Sequence, residues 1–322
     1  MFRLPEAWVW DFWLVDDGQK YHLFFLYASR ALGNPDHRHY RASVGHAISD
    51  DLARWERIRD ALVRSDAPAF DDLAIWTGSV VRHPDGTWIM FYTGATLTPA
   101  GNVQRIGSAT SEDLMTWRRN PNNPLIQADP RWYEKIADGM WPDEGFRDPW
   151  VFPDPEGNGW HMLITARANH GPVDNRGVIG HAWSPNLEAW ELHPPLTDPG
   201  QGFAQLEVVQ TARIDGQDLV MFSALAKDMS LERARGTTGG VWVAKADTPL
   251  GPFDISGAQQ LTNSDRYVGR LINDRQTGQT MFLAFRYDSH DGTFIGEITD
   301  PQTAHWDGIR LCLSPVATQL KK

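Results

Sequence analysis

Apolar and polar positions alternate over short stretches along the chain, and turns that carry Gly separate these stretches. The first two apolar runs, 11–15 and 21–27, are joined by a turn at 16–18. Four more aromatic-rich runs follow a comparable turn: 88–93, 160–165, 219–224 and 281–286. A turn of this kind between alternating apolar runs predicts a β-hairpin. The pattern therefore predicts a chain built from short antiparallel strands.

A short motif follows each of these five hairpins, so the chain contains an internal repeat. Three copies carry Gly near the start, Asp-Leu or Asn-Leu in the middle and Trp at the end, at 44–55, 106–117 and 179–190. Two degraded copies lie at 241–253 and 295–306. Repeated antiparallel sheets placed radially about one axis are the blades of a β-propeller. We therefore predict an all-β fold, a five-bladed β-propeller with four-stranded antiparallel blades.

The repeat also bears on domain organisation. No linker rich in Ser, Gly or Pro separates regions of different composition, so we predict that 1–322 form a single domain. The segment 311–322 follows the last copy, and we expect it to close the ring. We expect the Trp that ends each complete motif to pack between neighbouring blades. These residues are Trp55, Trp117 and Trp190.

Composition excludes several classes of partner and location. The 322 residues include 15 Trp, 28 Gly and 21 Pro, which suits many short strands joined by turns. The net charge of −11 argues against a nucleic-acid or anionic-membrane partner. No stretch approaches the roughly 20 apolar residues of a membrane span. Residues 1–6 lack the apolar run of a signal peptide, so we expect a cytoplasmic protein.

The cysteine and histidine patterns do not indicate a metal site. Cys312 is the single cysteine, so neither an intramolecular disulfide nor a zinc cluster of thiolates can form. No Gly-rich phosphate loop and no Gly-x-Ser-x-Gly motif occurs, and we expect neither a metal nor a cofactor. Four His in or beside predicted strands are interpreted as structural: His22, His46, His161 and His181.

Three acids stand out because each lies at the start of a predicted innermost strand. The five innermost strands are predicted to begin near Asp11, Ser79, Asp148, Glu207 and Gly269. Innermost strands line the axial channel of a propeller, so we expect three carboxylates in one register to face one another. Like charges repel in a low-dielectric cleft, so folding alone does not favour this arrangement. Three unrelated, solvated turn acids are the alternative, which leaves the shared register unexplained.

The neighbours of these acids favour the cleavage of a glycosidic bond. Asp11 lies between Trp10 and Trp13, and Arg147 precedes Asp148. Two carboxyl groups can carry out displacement and proton transfer at such a bond, and aromatic faces stack on sugar rings. A guanidinium holds a substrate oxygen or keeps a neighbouring carboxylate ionised. The pattern predicts a small-molecule carbohydrate as the binding partner.

Several motifs resemble glycoside hydrolase families 32 and 68 of clan J, which are five-bladed propellers. The segment 9–13, Val-Trp-Asp-Phe-Trp, resembles the nucleophile motif of family 68. The segments 21–25 and 44–52 are similar to the opening blade of family 32. Trp-Thr-Gly-Ser at 76–79 resembles the Trp-Ser-Gly-Ser segment that lines the fructosyl pocket. Phe-Arg-Asp-Pro at 146–149 matches the Arg-Asp-Pro motif.

This resemblance, which spans about residues 8–300, implies roles for individual side chains. It implies that Asp11 is the nucleophile and Glu207 the general acid/base. It implies that Asp148 stabilises the transition state through hydrogen bonds to two fructosyl hydroxyls. It also implies that Tyr267 orients the nucleophile. The substrate-binding residues it implies are Trp10, Trp76, Thr77, Ser79, Arg147 and Tyr267.

The chain also departs from both families. Glu207 lies in Leu-Glu-Val-Val-Gln, which matches neither the Glu-Cys motif of family 32 nor the Asp-Glu-x-Glu-Arg motif of family 68. This departure concerns the side of the cleft that holds the leaving group or acceptor. The Asn-Asp-Pro motif of family 32 is absent, and we expect no C-terminal β-sandwich. Arg233 and Arg235 are candidates for the missing leaving-group arginine, and an exposed loop is the alternative.

The leading functional interpretation is a retaining β-fructofuranosidase. It would act on sucrose or short fructo-oligosaccharides through a covalent fructosyl-enzyme intermediate. The alternatives are a fructosyltransferase, an arabinofuranosidase-like enzyme and a sugar-binding propeller that has lost catalysis. Transfer and hydrolysis share the intermediate and differ in whether a sugar or water attacks it. The presence of all three acids argues against the non-catalytic alternative.

Overall fold

The computed structural model describes residues 1–289 and 292–316, and its strands form five sheets that are antiparallel except for one short parallel pairing. The first sheet consists of β1 (Ala7–Asp16), β2 (Tyr21–Ser29), β3 (Ser43–Ser49) and β4 (Glu56–Leu62). The second consists of β5 (Ala74–Arg82), β6 (Trp88–Thr98), β7 (Gly101–Ser111), β8 (Arg118–Arg119) and β9 (Asp143–Glu144). The third consists of β10 (Phe146–Pro153), β11 (Trp160–Arg167), β12 (Gly177–Ser184) and β13 (Glu191–His193).

The remaining two sheets complete the architecture. The fourth consists of β14 (Glu207–Ile214), β15 (Gln217–Leu225), β16 (Gly239–Ala246) and β17 (Gln259–Gln260). The fifth consists of β18 (Arg266–Asn273), β19 (Thr280–Asp288), β20 (Phe294–Ile298), β21 (Gln302–Trp306) and β22 (Leu311–Pro315). The first strands of the five sheets, β1, β5, β10, β14 and β18, contact one another in chain order, and β18 returns to β1. The five sheets are therefore the blades of a closed five-bladed β-propeller, as predicted.

Two blades differ from the predicted four strands. In the second blade, β9 adds a short parallel partner to β7. In the fifth blade, β20 and β21 both pair with β19 and together occupy the place of a third strand. Pro301 lies between them, and a proline has no backbone N–H to donate to a strand ladder. The expectation of four-stranded blades is thus right for three blades and wrong for two.

The ring is closed by the N-terminal residues. Phe2 and Ile298 exchange two backbone hydrogen bonds of 2.9 Å, which join the first residues of the chain to the fifth blade. The Phe2 ring also packs against Phe25 at 4.8 Å. The segment 311–315 is instead the outermost strand of the fifth blade, paired with β21. The expectation that 311–322 close the ring is therefore wrong for its described part, and 317–322 lie outside the described residues.

Two of the three Trp residues that end a complete repeat motif have the predicted packing role between blades. Trp117 packs edge-on against Phe24 of the preceding blade at 5.6 Å, and Trp190 packs in the same way against Phe91 at 5.3 Å. Each indole N–H donates to the carbonyl of the motif Leu three residues earlier. Those Leu residues have φ values of 60° to 65°, which the turn requires: Leu52, Leu114 and Leu187.

The histidines interpreted as structural lie inside two blades. His22 Nδ1 and His46 Nε2 are 2.9 Å apart in the first blade, and His161 and His181 repeat this contact at 2.9 Å in the third.

Short 3-10 helices fill some of the connections: Arg30–Leu32, Pro35–Tyr40, Ile136–Asp138, Val173–Asn175 and Ala226–Asp228. None of the helices in the described residues has the length and apolar character needed to cross a bilayer.

Candidate active site

Every innermost strand has a β-bulge, one extra residue relative to its partner, near its start. The pairing shifts between Val9 and Phe12, Trp76 and Gly78, Arg147 and Trp150, Glu207 and Gln210, and Tyr267 and Arg270. Bulges redirect side chains and are common beside functional sites. Gly78 is required here, because a Cβ at this position would overlap the carbonyl oxygen of Phe91.

Three of the bulges are held by a hydroxyl from the preceding blade. Asp148 donates its backbone N–H to Thr93 Oγ1 at 2.8 Å, and Val208 donates to Thr165 Oγ1 at 3.0 Å. Val268 donates in the same way to a hydroxyl of the fourth blade. Their φ values of 58°, 56° and 49° are uncommon for residues with a side chain, above all for β-branched Val. The inter-blade hydrogen bonds therefore stabilise a backbone conformation that these residues would not adopt alone.

The predicted shared register of the three acids is wrong. Strand pairing makes Val9, Arg147 and Glu207 equivalent, since each is the last residue paired before its bulge. Asp148 lies one residue beyond that position, and Asp11 lies two residues beyond it, within β1 rather than at its start. Alternation of side chains along a regular strand would place Asp148 on the face opposite to that of Asp11 and Glu207. The bulges break this alternation, so that the acids reach one cavity from different positions.

A cavity of about 770 Å³ opens where the innermost strands begin. This volume lies within the usual range for small-molecule sites. Eight of the nine predicted site residues line it: Trp10, Asp11, Trp76, Thr77, Arg147, Asp148, Glu207 and Tyr267. Ser79 lies outside the lining and is buried, and its hydroxyl accepts the N–H of Val151 at 3.2 Å. Arg233 and Arg235 are not among the lining residues either.

Glu207 is held from both sides. Arg147 Nη2 lies 2.5 Å from Glu207 Oε1, and the Tyr267 hydroxyl donates to Oε2. The structure thus corrects the expectation that Tyr267 orients Asp11. The reason is geometric: Tyr267 and Glu207 occupy equivalent positions on adjacent innermost strands, so their side chains meet across the channel. Two glutamines, Gln104 and Gln205, accept hydrogen bonds from the Arg147 guanidinium and fix its orientation.

Asp11 and Asp148 lie in a poorly solvated part of the cavity. Burial raises the pKa of Asp11 to about 7, and the negative charge of Asp148 adds to this effect. The Thr77 hydroxyl donates to Asp11 Oδ2 at 2.5 Å and acts in the opposite direction. Burial raises the pKa of Asp148 to about 6. The Arg147 guanidinium, whose Nε lies 3.4 Å from Asp148 Oδ2, lowers this pKa but does not offset the effect of burial. Both carboxyl groups therefore titrate near neutral pH rather than near pH 4.

The segment 34–40 forms a wall of the cavity, and none of its residues was among the predicted site residues. The backbone carbonyl of His39 accepts the indole N–H of Trp76 at 2.8 Å. The Arg38 guanidinium lies 3.8 Å from the ring centroid of Phe294 and 5.7 Å from that of Trp10. Burial lowers the pKa of His39 to about 3, so this ring is neutral. The richness of the loop in His and Arg was the only sequence signal.

Two further acids line the cavity and were not predicted. Burial raises the pKa of Asp228 to about 6, and the charge of Glu207 adds to the effect. Burial also raises the pKa of Asp143, whose Oδ2 accepts a hydrogen bond from Gln104 at 3.0 Å. Asp143 lies in the short β9 of the second blade, and Asp228 ends the 3-10 helix between β15 and β16 of the fourth blade. Neither segment has a periodic sequence pattern. In the described residues, no group of three or more His, Cys, Asp or Glu side chains is arranged to hold a metal ion.

The arrangement has the elements that glycoside cleavage requires. Asp11 presents a carboxylate whose only side-chain hydrogen bond in the described chain is to Thr77. Glu207 presents a second carboxyl group oriented by a cation and a phenol. Retaining glycosidases use one such group as nucleophile and the other as proton donor and acceptor. Trp10 and Trp76 supply aromatic surface at the same cavity.

Comparison with known proteins identifies the family of this chain. Residues 13–294 match the family described as "Glycosyl hydrolases family 32 N-terminal domain". The chain is 32% identical over 154 residues to β-fructofuranosidase 1 of Zea mays. These aligned residues cover 46% of this chain and 20% of that protein. The aligned part thus spans about one fifth of the length of this relative.

Solved structures share the fold at lower sequence identity. The inulosucrase of Halalkalicoccus jeotgali bound to kestose has a TM-score of 0.78 and 20% identity, with 98% of this chain and 89% of that chain covered. The family 32 β-fructofuranosidase of Bombyx mori has a TM-score of 0.71 and 19% identity, with 98% and 65% covered. These values establish a common propeller fold. The match to the model of the family 32 N-terminal domain covers most of the sequence. The chain therefore belongs to glycosyl hydrolase family 32.

Proposed function

We propose that the chain is a retaining β-fructofuranosidase that cleaves sucrose or short fructo-oligosaccharides. The observation that carries the proposal is the convergence of Asp11, Asp148 and Glu207 on one cavity from three different blades. Membership of family 32 and similarity to a plant β-fructofuranosidase support it. A polar cavity with aromatic walls suits a small sugar.

In the first step, an oxygen of ionised Asp11 attacks the anomeric carbon of the fructosyl unit. The bond from that carbon to the glycosidic oxygen breaks, and protonated Glu207 gives its proton to the departing oxygen. In the second step, water attacks the same carbon, gives a proton to Glu207 and releases Asp11. Two inversions retain the configuration of the sugar. Arg147 and Tyr267 contact the carboxyl group of Glu207, so both orient it for the two proton transfers.

Asp148 is proposed to stabilise the transition state. Its Oδ2 lies 3.3 Å from the backbone N–H of Val208 and 3.4 Å from Arg147 Nε, so the carboxylate is fixed from two directions. A carboxylate held in this way can accept hydrogen bonds from sugar hydroxyls without reorganisation. Preorganised contacts of this kind contribute most where charge develops during the reaction.

Fructosyl transfer is the second candidate activity. The structural similarity to an inulosucrase favours it, since that protein shares the fold over 98% of this chain. A transferase would form the same covalent intermediate and would let a second sugar, rather than water, attack it. The two activities therefore place the same demands on Asp11, Asp148 and Glu207 and differ in what occupies the outer cavity.

Product analysis by NMR tests both activities. The protein is incubated with sucrose, with short inulin-type oligosaccharides and with an aryl arabinofuranoside, and Asp11→Asn serves as the inactive control. We expect free β-fructofuranose as the first product from the fructosides and none from the control. Oligosaccharides longer than the substrate would favour transfer. Release from the arabinofuranoside alone, or no turnover of any substrate, would overturn the proposal.

A further inference from the structure

Arg270 is a buried cation behind the candidate catalytic residues that neither the sequence motifs nor the proposed mechanism uses. Its side chain is 2% exposed and lies in β18, outside the lining of the cavity. The burial of a guanidinium costs several kcal/mol unless charge and hydrogen bonds compensate it. We therefore expect the buried Arg270 guanidinium to have hydrogen-bond acceptors and negative charges close to it.

The contacts of Arg270 reach three other blades. Nε donates to the carbonyl of Phe12 at 3.0 Å, and Nη1 lies 3.4 Å from the carbonyl of Val209. The guanidinium carbon lies 5.6 Å from the ring centroid of Trp150. Phe12 directly follows Asp11 in the sequence, and Val209 and Trp150 each lie two residues beyond one of the other two acids. One side chain thus contacts the backbone or ring just behind each candidate catalytic carboxylate.

The charge of Arg270 is directed at two of these acids. Both Asp148 and Asp11 interact electrostatically with it. Nη2 has no hydrogen-bond partner in the described part of the chain, so the backbone carbonyls do not saturate this donor group. The other cation of the cluster, Arg147, is already committed to Glu207 and Asp148. Arg270 therefore adds a further positive charge to the cluster, and this charge acts on both Asp148 and Asp11.

The remaining groups around Asp11 act in both directions. The charged and titratable groups that face it in the described residues are Asp148, Glu207, Tyr267, Arg38 and Arg270, and Thr77 donates a hydrogen bond. The acids raise the pKa of Asp11, and the positive charge of Arg270 lowers it. Burial lowers the pKa of Arg270 to about 10, although the negative charges of Asp148 and Asp11 raise it, so the guanidinium stays protonated at neutral pH.

We propose that Arg270 is a positioning residue of the active site. It fixes the innermost strands that carry the candidate catalytic carboxylates, and its positive charge favours the ionised forms of Asp11 and Asp148. The inference rests on the proposed function for its kinetic part. Its electrostatic part concerns the folded protein and does not depend on any substrate.

The kinetic test compares the pH profiles of kcat/KM for wild-type protein, Arg270→Met and Arg270→Lys on sucrose. We expect Arg270→Met to move the acid limb upward by about 1 pH unit, the size of losing one nearby opposite charge. Arg270→Lys keeps the charge and loses the planar contact to two carbonyls, so the limb stays in place and kcat falls about tenfold or more. A wild-type acid limb in Arg270→Met, or a wild-type kcat in Arg270→Lys, would overturn the proposal.

A matched control separates this role from general stability. Arg176 is another buried arginine, 8% exposed, whose Nη1 lies 2.9 Å from Glu134 Oε1, away from the cavity lining. We expect Arg176→Met to lower the melting temperature and to leave the pH profile unchanged. An equal shift of the acid limb in this control would show that any loss of buried arginine has the effect.

A thermal double-mutant cycle gives a second test that needs no substrate. The loss of melting temperature caused by Arg270→Gln is measured at pH 8 in the wild-type and Asp11→Asn backgrounds. If the guanidinium stabilises ionised Asp11, the loss is smaller in the Asp11→Asn background by about 2 °C or more. If Arg270→Gln folds in the Asp11→Asn background but not in the wild-type background, the result supports the same conclusion. Equal losses would overturn it, and wild-type protein that cleaves no fructoside would overturn only the proposed function.

Discussion

The hydroxyl of Tyr267 donates a hydrogen bond to Oε2 of Glu207 across the boundary between the fourth and fifth blades. Both residues precede a bulge at equivalent positions of their strands. Burial and the charge of Glu207 raise the pKa of Tyr267 well above its ordinary value, so the phenol stays protonated and remains a donor. A tyrosine in the fifth blade thus orients the proposed acid/base of the fourth.

Removal of this hydroxyl tests the importance of that contact. We expect Tyr267→Phe to lower kcat/KM by about 10-fold or more, since a hydrogen bond to a charged group contributes about 1.5 to 3 kcal/mol. The measurement is steady-state kinetics on sucrose. Tyr133→Phe is the matched control, because Tyr133 is also buried and donates to the carbonyl of His193 at 2.7 Å. Equal kinetic losses in the two variants would contradict a specific role for Tyr267.

The hydroxyl of Thr77 is predicted to set the pH at which Asp11 ionises. It donates to the carboxylate and therefore lowers the pKa of Asp11, which burial otherwise raises. Thr77→Val should move the acid limb of kcat/KM upward by about 1 pH unit. Thr77→Ser keeps the hydroxyl and is the control, with a limb near that of wild type. If the acid limb of the kcat/KM profile of Thr77→Val stays at its wild-type pH, the limb reflects the ionisation of a group other than Asp11.

Asp11 is predicted to destabilise the folded protein at neutral and alkaline pH. Its folded-state pKa of about 7 lies above its ordinary value, so the folded state binds this proton more tightly than the unfolded state. Stability is therefore highest below the unfolded-state pKa and falls as pH rises through the folded-state pKa. Asp11→Asn should raise the free energy of unfolding at pH 8 by about 1 to 3 kcal/mol, with little gain at pH 4.

An acid with the opposite shift is the control for that measurement. Asp113 accepts the N–H groups of Met115 and Thr116 at 2.8 Å, and these bonds hold its pKa below the ordinary value. Asp113→Asn should not stabilise the protein at pH 8. Urea unfolding at pH 4 and pH 8 measures both variants. A gain for Asp11→Asn that is the same at the two pH values would contradict the assigned titration.

Asp148 is predicted to act mainly on the chemical step. Asp148→Asn should lower kcat by about 10² or more, with a smaller change in KM, because its contacts tighten in the transition state. Melting temperature is measured on the same preparation. Lost thermal stability with near-normal kcat would instead indicate a structural pair with Arg147. Arg147→Lys should also impair kcat, since an ammonium keeps the charge and loses the fork that contacts Glu207 and two glutamines.

The stereochemical proposal has a geometric consequence. In a crystal structure with bound fructose, the carboxyl groups of Asp11 and Glu207 should lie about 5 to 5.5 Å apart, the separation typical of retaining glycosidases. NMR of the first product gives an independent measure of the same outcome. A separation of about 6.5 to 9.5 Å, or inversion of the anomeric configuration, would contradict the covalent intermediate.

The local sequence was sufficient for much of the fold. Hairpin turns and the five motif copies depend on contacts between residues close in the chain, so their pattern predicted five blades and the packing of Trp117 and Trp190. Strand number in the second and fifth blades was not predictable in this way. It depends on β9, which pairs across a long connection, and on the interruption at Pro301.

The candidate site was likewise predictable only in part from the sequence. The sequence by itself determined that Asp11, Asp148 and Glu207 lie in the first part of innermost strands, because short motifs and a repeat mark them. Only the tertiary structure decided how they meet, since bulges held by hydroxyls of neighbouring blades bring different strand positions to one cavity. It also decided the partner of Tyr267 and the place of Arg270. These contacts join residues of different blades, and their energies depend on distances that no local pattern of side chains encodes.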